Sequence, residues 1–189
     1  DGNTVIASVT ADGDGAWSTT LPLLSQGAHA LSVTVTDAAG NVSDRSGALN
    51  ITVDTVAPAA GTVNVTAGDS ATPLTSGATI NDSTPALSGT TEANATVSVY
   101  DGTTLLGTAI ASGAGAWSFT PAALGEGSHA LSVRVTDAAG NTGIASAVTT
   151  VVVDTVAPAA ISGLTAVNNN GSTPLTIAAG STTSDNTPQ

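Results

Sequence analysis

The chain repeats itself at a fixed offset, and this repeat restricts what it can fold into. Four features return 100 positions later without a gap: residues 29–33 as 129–133, 37–41 as 137–141, 54–60 as 154–160, and Trp17 as Trp117. A period near 100 residues is too long for solenoid repeats but matches the size of a β-sandwich module. The chain is therefore predicted to be a piece of a tandem array.

The apolar residues within each copy alternate with polar ones. Leu131, Val133 and Val135 follow this two-residue period, which is typical of a strand with one buried face. Gly-, Asp- and Asn-rich turns separate the other predicted strands, at residues 95–100, 104–111, 116–120 and 147–153. Since no segment keeps a helical period, the fold is predicted to be all-β, with about seven strands in each sandwich module.

The module boundaries are predicted at the Asp-Thr-Val-Ala-Pro segments that start at Asp54 and Asp154. Proline ends a strand and stiffens the exit from it, as expected of a short linker. On this phase, residues 1–57 are the later strands of a truncated module, 58–157 are a complete module, and 158–189 begin a third. A truncated sandwich leaves half of its core uncovered, so residues 1–57 are predicted to be poorly ordered on their own.

The charge balance excludes two classes of partner. Fourteen acidic residues face only Arg45 and Arg134, and the net charge is −12. Such a chain cannot neutralise phosphates, so nucleic acid and anionic membrane surfaces are excluded as partners. No run approaches the roughly 18 apolar residues of a membrane span, so membrane insertion is not expected. The absence of cysteine favours a bacterial product, and aspartates at turns favour calcium as a ligand.

Several motifs in order carry a family resemblance: Gly-Ala-Trp at 115–117, Gly-Ser-His-Ala-Leu at 127–131, Asp-Ala-Ala-Gly-Asn at 137–141 and Asp-Thr-Val-Ala-Pro at 154–158. Together they resemble the bacterial Ig-like domains of giant surface adhesins (RTX- and BapA-like) that are exported by type I secretion. The resemblance implies tandem immunoglobulin-like β-sandwich modules of about 100 residues, secreted or held at the bacterial cell surface. It also implies extender or adhesive repeats in cell adhesion or biofilm formation, with calcium near the module junctions. The expected partners are neighbouring modules of the same chain and a host or matrix surface ligand.

The predicted calcium site lies where the chain enters a module, because in an immunoglobulin-type sandwich three turns meet at that end. In the complete module these turns are residues 91–94, 112–115 and 137–141. The candidate ligands, with their counterparts in the other copies, are Asp54, Glu92, Asp137, Asn141, Asp154, Asp37 and Asn41. Carboxylate and amide oxygens suit calcium. The alternative is that Asp and Asn at these turns bond only to their own backbone and need no metal.

No residue pattern indicates an enzyme. His29 and His129 are the only histidines and occupy the same position in successive copies, which is typical of a structural residue. Trp17 and Trp117 are interpreted as pins of a sandwich core rather than sugar-stacking platforms. The predicted function is that of extender or adhesive repeats. The alternative is accessory or glycan-binding modules of a secreted polysaccharide-active enzyme.

Overall fold

The computed structural model describes residues 1–68 and 70–160, together with two short strands further on. Its contacts divide the chain into two compact units, Asp1–Thr155 and Val156–Gln189. In the second unit the two strands, Ala166–Asn168 and Leu175–Ile177, pair antiparallel. Most of the predicted third copy at 158–189 lies outside the described residues, and the module boundaries stay predictions.

Ten strands lie in the first unit. The first two, β1 (Gly27–Leu31) and β2 (Leu49–Val53), form a two-stranded antiparallel sheet. The remaining eight are β3 (Asn64–Thr66), β4 (Ala78–Ile80), β5 (Ala86–Thr90), β6 (Thr96–Asp101), β7 (Thr104–Ile110), β8 (Ala116–Phe119), β9 (Gly127–Thr136) and β10 (Thr149–Val153). No helix that could cross a membrane occurs in the described part of the chain.

Strands β3 to β10 form two sheets around one core. The five-stranded sheet has the order β4-β10-β9-β6-β7, and the three-stranded sheet has the order β3-β5-β8. Leu87 and Trp117 from the smaller sheet share a buried cluster with Val97, Leu131 and Val151 from the larger one. In β6 and β10, alternate residues are buried in this core, as the two-residue period predicts. The all-β sandwich is confirmed.

The sandwich has eight strands rather than the predicted seven, because its opening segment contributes to both sheets. Strand β3 pairs antiparallel with β5 in the small sheet. The chain then crosses over, and β4 pairs parallel with β10 at the edge of the large sheet. The crossover thus places β4, near the start of the module, beside its last strand, β10.

Residues 1–57 repeat only part of the local structure of 101–157, since no strand corresponds to β7 or β8 in the described residues. Strand β1 pairs with β2 as β9 pairs with β10. Beyond Leu31, however, no described strand takes the place of β6 beside the chain, and Val33 and Val35 are exposed. The poor order predicted for this segment in isolation stays a prediction.

Candidate functional site

The turn at residues 137–141 is built around one carboxylate. Asp137 Oδ1 accepts hydrogen bonds from the backbone N–H groups of Ala139 (2.9 Å) and Asn141 (2.8 Å), and Asp137 Oδ2 accepts one from Asn141 Nδ2 at 2.8 Å. Gly140 takes a φ of 94°, which closes the turn and suits glycine best. The Asn141 side chain, followed by the backbone donors, lowers the pKa of Asp137. This carboxylate is therefore an anion at neutral pH.

The equivalent turn of the first copy has the same geometry. Asp37 accepts from Ala39 N at 2.9 Å, from Asn41 N at 2.8 Å and from Asn41 Nδ2 at 2.8 Å. The Asn41 side chain is again the main cause that lowers the pKa of Asp37. The two turns have the same hydrogen bonds although their surroundings differ. The five residues of each turn are therefore sufficient to set its geometry.

The linker between the copies docks on the second of these turns. Asn141 Nδ2 also donates to the backbone carbonyl of Asp54, at 3.1 Å. Close by, Gly143 lies against the Pro58 carbonyl: a Cβ on Gly143 would sit 2.3 Å from that oxygen. Of the residues predicted to converge here, Asn141 contacts both Asp54 and Asp137. Asp54 takes part through its carbonyl, while its carboxylate points to another partner.

That partner is Gln26, on the other side of the linker. Gln26 Nε2 donates to Asp54 Oδ1 at 2.8 Å, while Gln26 Oε1 accepts from Thr55 N at 2.9 Å. Glu126 does the corresponding work in the next copy: it accepts from Thr155 N at 3.1 Å and from the Thr155 hydroxyl. The Thr155 hydroxyl is the main cause that lowers the pKa of Glu126.

Sequence reasoning missed residues 26 and 126, since it did not single out either of them as a candidate. A usable signal exists: the same spacing separates each of these residues from the following Asp-Thr pair, with a polar side chain in both copies. Of the remaining candidate ligands, Glu92 is exposed at the tip of the 91–94 turn. Asp154 donates its backbone N–H to the Ile80 carbonyl at 2.8 Å.

The fit to calcium depends on which oxygens are left for a metal. Within residues 1–68 and 70–160, no three or more His, Cys, Asp and Glu side chains are grouped so that they could hold a metal ion. Both oxygens of Asp137 already accept hydrogen bonds. The oxygens at this junction therefore act as hydrogen-bond acceptors that join the linker to the turn. Calcium binding stays a prediction.

The two histidines bind structurally equivalent partners. His129 Nδ1 lies 2.7 Å from Asp101 Oδ2, and its Nε2 lies 2.9 Å from the Gly125 carbonyl. His29 meets Asp1 and the Ser25 carbonyl in the same way. Each histidine thus ties the loop before its strand to an aspartate, in line with the structural role that the sequence indicated.

Trp117 lies inside the sandwich, as predicted, but the same prediction is wrong for Trp17, which is 52% exposed because its copy has no second sheet packed on it in the described residues. Only 4% of the surface of Trp117 is exposed, and its fully covered indole N–H has no hydrogen-bond partner among the described residues. A side chain in this position packs the core and presents no face to a sugar.

A family model described as a bacterial Ig-like domain matches residues 1–55 and again residues 57–155. No curated protein matches the chain. The matched residues include both copies of the turn and of the histidine pair.

Proposed function

Since this chain belongs to the bacterial Ig-like domain family, we propose that it is a run of spacer repeats in a large bacterial surface adhesin, exported from the cell. The repeats hold a binding region away from the cell surface, for adhesion or biofilm formation. They carry out no chemical reaction in this role. Their function depends on how stiffly one repeat is joined to the next.

The observation that carries the proposal is the double attachment of the linker. From the first copy, Gln26 holds Asp54 and Thr55. From the second copy, Asn141 holds the Asp54 carbonyl and Gly143 packs against Pro58. A linker bonded on both sides has few free backbone torsions, and proline removes one more. Stiff joints of this kind turn a string of modules into a rod.

The net charge supports the same role. At −12 with two basic residues, identical chains repel one another, which keeps a dense layer of such chains extended and soluble. Because Trp117 is buried, the complete repeat offers no tryptophan platform to a glycan. The ligand that the whole adhesin binds, a host or matrix surface in our proposal, would then meet a region other than these repeats.

The test measures the distance between the two copies. The chain has no cysteine, so two introduced cysteines are the only sites that a spin label can take. Labels at the exposed Thr52 on β2 and Thr104 on β7 report the joint by pulsed electron paramagnetic resonance. We expect a narrow distance distribution that broadens in Asn141→Ala. The matched control is Asn41→Ala, whose amide bonds Asp37 only and which should leave the distribution narrow.

A broad distribution in the unsubstituted chain would refute the stiff spacer. It would favour flexibly tethered accessory modules, such as those of a secreted polysaccharide-active enzyme.

The calcium prediction has its own test, a thermal melt of the whole chain in EDTA and in millimolar calcium, with magnesium as the control ion. One site at free calcium of about ten times Kd adds about 1.4 kcal/mol. A calcium-specific rise that Asp137→Ala abolishes would support metal at the junction. An unchanged melting temperature would mean that direct hydrogen bonds hold the joint without a metal.

A further inference from the structure

Both ring nitrogens of His129 face oxygens that can only accept. Nδ1 lies 2.7 Å from a carboxylate oxygen of Asp101, and Nε2 lies 2.9 Å from the carbonyl oxygen of Gly125. Neutral imidazole carries one N–H, so it can satisfy one of these two oxygens and must point a lone pair at the other. The imidazolium carries two N–H groups and satisfies both.

The carboxylate is suited to the charged ring. Asp101 Oδ1 accepts the backbone N–H of Ala130 at 2.8 Å, so each oxygen of this carboxylate faces a nitrogen of the strand that carries the histidine. The hydrogen bond to Asp101 is the main cause that raises the pKa of His129 above its ordinary value. Partial burial opposes this shift, and the Gly125 carbonyl and the Asp101 charge add to it.

The arrangement occurs twice. In the first copy His29 Nδ1 lies 2.5 Å from Asp1 Oδ2, and Nε2 lies 2.8 Å from the Ser25 carbonyl. The Ala30 N–H donates to Asp1 Oδ1 at 3.1 Å, as that of Ala130 donates to Asp101. Two copies with different surroundings thus have the same pair of acceptors around the ring.

In each copy the residue after the histidine-bound carbonyl holds the exit from the module. Gly125 accepts from His129, and the adjoining Glu126 accepts from Thr155. Ser25 and Gln26 are placed in the same way, with Gln26 on Thr55. The carbonyl that binds each histidine therefore belongs to the peptide bond that leads into the residue restraining the exit segment.

We propose that His129, with Asp101 and the Gly125 carbonyl, is a proton-operated clasp: closed as the imidazolium, it positions Glu126 on Thr155 and restrains the exit segment, and on losing its proton it loosens both. The clasp depends only on these hydrogen bonds. The clasp proposal therefore does not rest on the spacer function.

The charged groups around the ring are few. Asp101 on β6 is the one ionised side chain in the described residues that forms an ion pair with His129. Across the ladder on β10, His129 is paired with Val151, which is apolar. Glu126 on the preceding loop is bonded to Thr155. Proton loss from His129 itself is therefore the event that opens the clasp near neutral pH.

The direction of the pH dependence follows from the raised pKa of His129. The clasp contributes its full stability below the unfolded pKa of about 6.5. It loses that contribution as the pH rises through the folded pKa, which lies higher. Alkaline conditions thus loosen the exit segment and mildly acidic conditions tighten it.

The experiment is a nitrogen-15 NMR titration of the full chain from pH 6 to 8.5. We expect the midpoint of His129 to lie above about 6.5, with both ring nitrogens protonated at the acidic end of the range. Over the same range the Thr155 amide should lose protection from solvent exchange, after correction for the intrinsic rate. The amide of Asn141, bonded to Asp137 at the other end of the module, is the internal control and should not respond.

Two variants separate the clasp from ordinary packing. Asp101→Asn keeps the size of the side chain and should shift the midpoint of His129 back toward about 6.5 or below. His129→Gln cannot titrate, so the Thr155 amide should become insensitive to pH. A neutral His129 at pH 6.5, or a Thr155 amide that ignores His129 protonation in the unsubstituted chain, would overturn the proposal. The titration of the unsubstituted chain decides the matter even where a variant does not fold.

Discussion

Residues 1–57 and 101–157 share the same motifs at the same spacing, yet their apolar residues differ sharply in burial. Val33 is 44% exposed and Val133 is fully buried; Trp17 is 52% exposed and Trp117 only 4%. The second copy is covered by β3 to β6, which come from residues 64–101. In the described part of the chain, β1 and β2 form a sheet of their own with no such strands beside them. The comparison separates what a repeat does alone from what it does when it is complete.

The hydrogen-bonded turns and the histidine pairs are almost unaffected by that difference. Asp37 and Asp137 accept the same three hydrogen bonds at the same distances. Both histidines keep an aspartate and a carbonyl. Short-range polar contacts are thus encoded within a few strands, whereas burial of the core requires both sheets.

The largest expected effect tests the core. Trp117→Ala should reduce the free energy of unfolding by about 3–5 kcal/mol, since it removes a buried aromatic and leaves a cavity. Trp17→Ala, at the exposed equivalent, should change it by less than about 0.5 kcal/mol. Urea unfolding followed by circular dichroism measures both. Equal losses would mean that the first copy buries its tryptophan in solution.

A smaller effect tests the turn before Trp117. Gly115 has a φ of 80°, and a Cβ there would lie 2.1 Å from the Thr91 carbonyl; Gly15 has a φ of 82° with nothing within 4 Å. Gly115→Ala should cost about 3 kcal/mol, from the left-handed backbone and from overpacking. Gly15→Ala carries only the backbone strain of about 1 kcal/mol.

The two glycine variants are compared by thermal denaturation. If Gly115→Ala loses no more stability than Gly15→Ala, residues 91–94 can move to make room for the added methyl group. This end of the second copy would then be less rigid than its contacts indicate.

The next effect in order of size concerns the stability of the fold in acid. Because its hydrogen bonds lower the pKa of Asp137, this carboxylate stabilises the fold above the unfolded pKa of about 3.9. The stabilisation is lost as the pH falls through the lower folded pKa. Asp137→Asn should therefore melt below the unsubstituted chain at pH 7, and the two melting temperatures should converge near pH 2.

The matched substitution Asp37→Asn should leave the main melting transition unchanged at every pH, since its turn belongs to the exposed copy. A gap between Asp137→Asn and the unsubstituted chain that persists in acid would assign the effect to packing instead of charge.

The smallest effect tests whether the two exit contacts are equivalent. Glu126→Gln makes the second copy match the first, where Gln26 accepts from Thr55. It should leave the melting temperature at pH 7 unchanged and preserve the protection of the Thr155 amide. Glu126→Ala should remove that protection. A loss of protection in Glu126→Gln would show that the contact needs a negative charge.

Strands with alternating apolar residues were well predicted from sequence. Residues 95–100, 104–111 and 116–120 appear as Thr96–Asp101, Thr104–Ile110 and Ala116–Phe119. Strands β3, β4 and β5 were not predicted, because residues 58–90 lack a clear period and their strands are short. The parallel pairing of β4 with β10 joins segments about 70 residues apart, and no local pattern encodes it.

The candidate site was predicted in part for a similar reason. Asp137 and Asn141 form a local turn, and the Asp-Ala-Ala-Gly-Asn pattern predicts it. Their contact with the Asp54 carbonyl spans 87 positions and was anticipated only from the shared end of the sandwich. The pairing of His129 with Asp101 was not anticipated, because Asp101 looked like an ordinary Asp-Gly turn residue.

The sequence by itself determined the repeat length, the all-β class, the main strands and the hydrogen-bonded turns, since each depends on residues close together in the chain. Only the tertiary structure decided which valines and which tryptophan are buried, which strand closes the sheet, and which side chains hold the linker. These depend on residues far apart in sequence, whose contacts form only when both sheets are present. Identical segments can therefore be core in one copy and surface in the other.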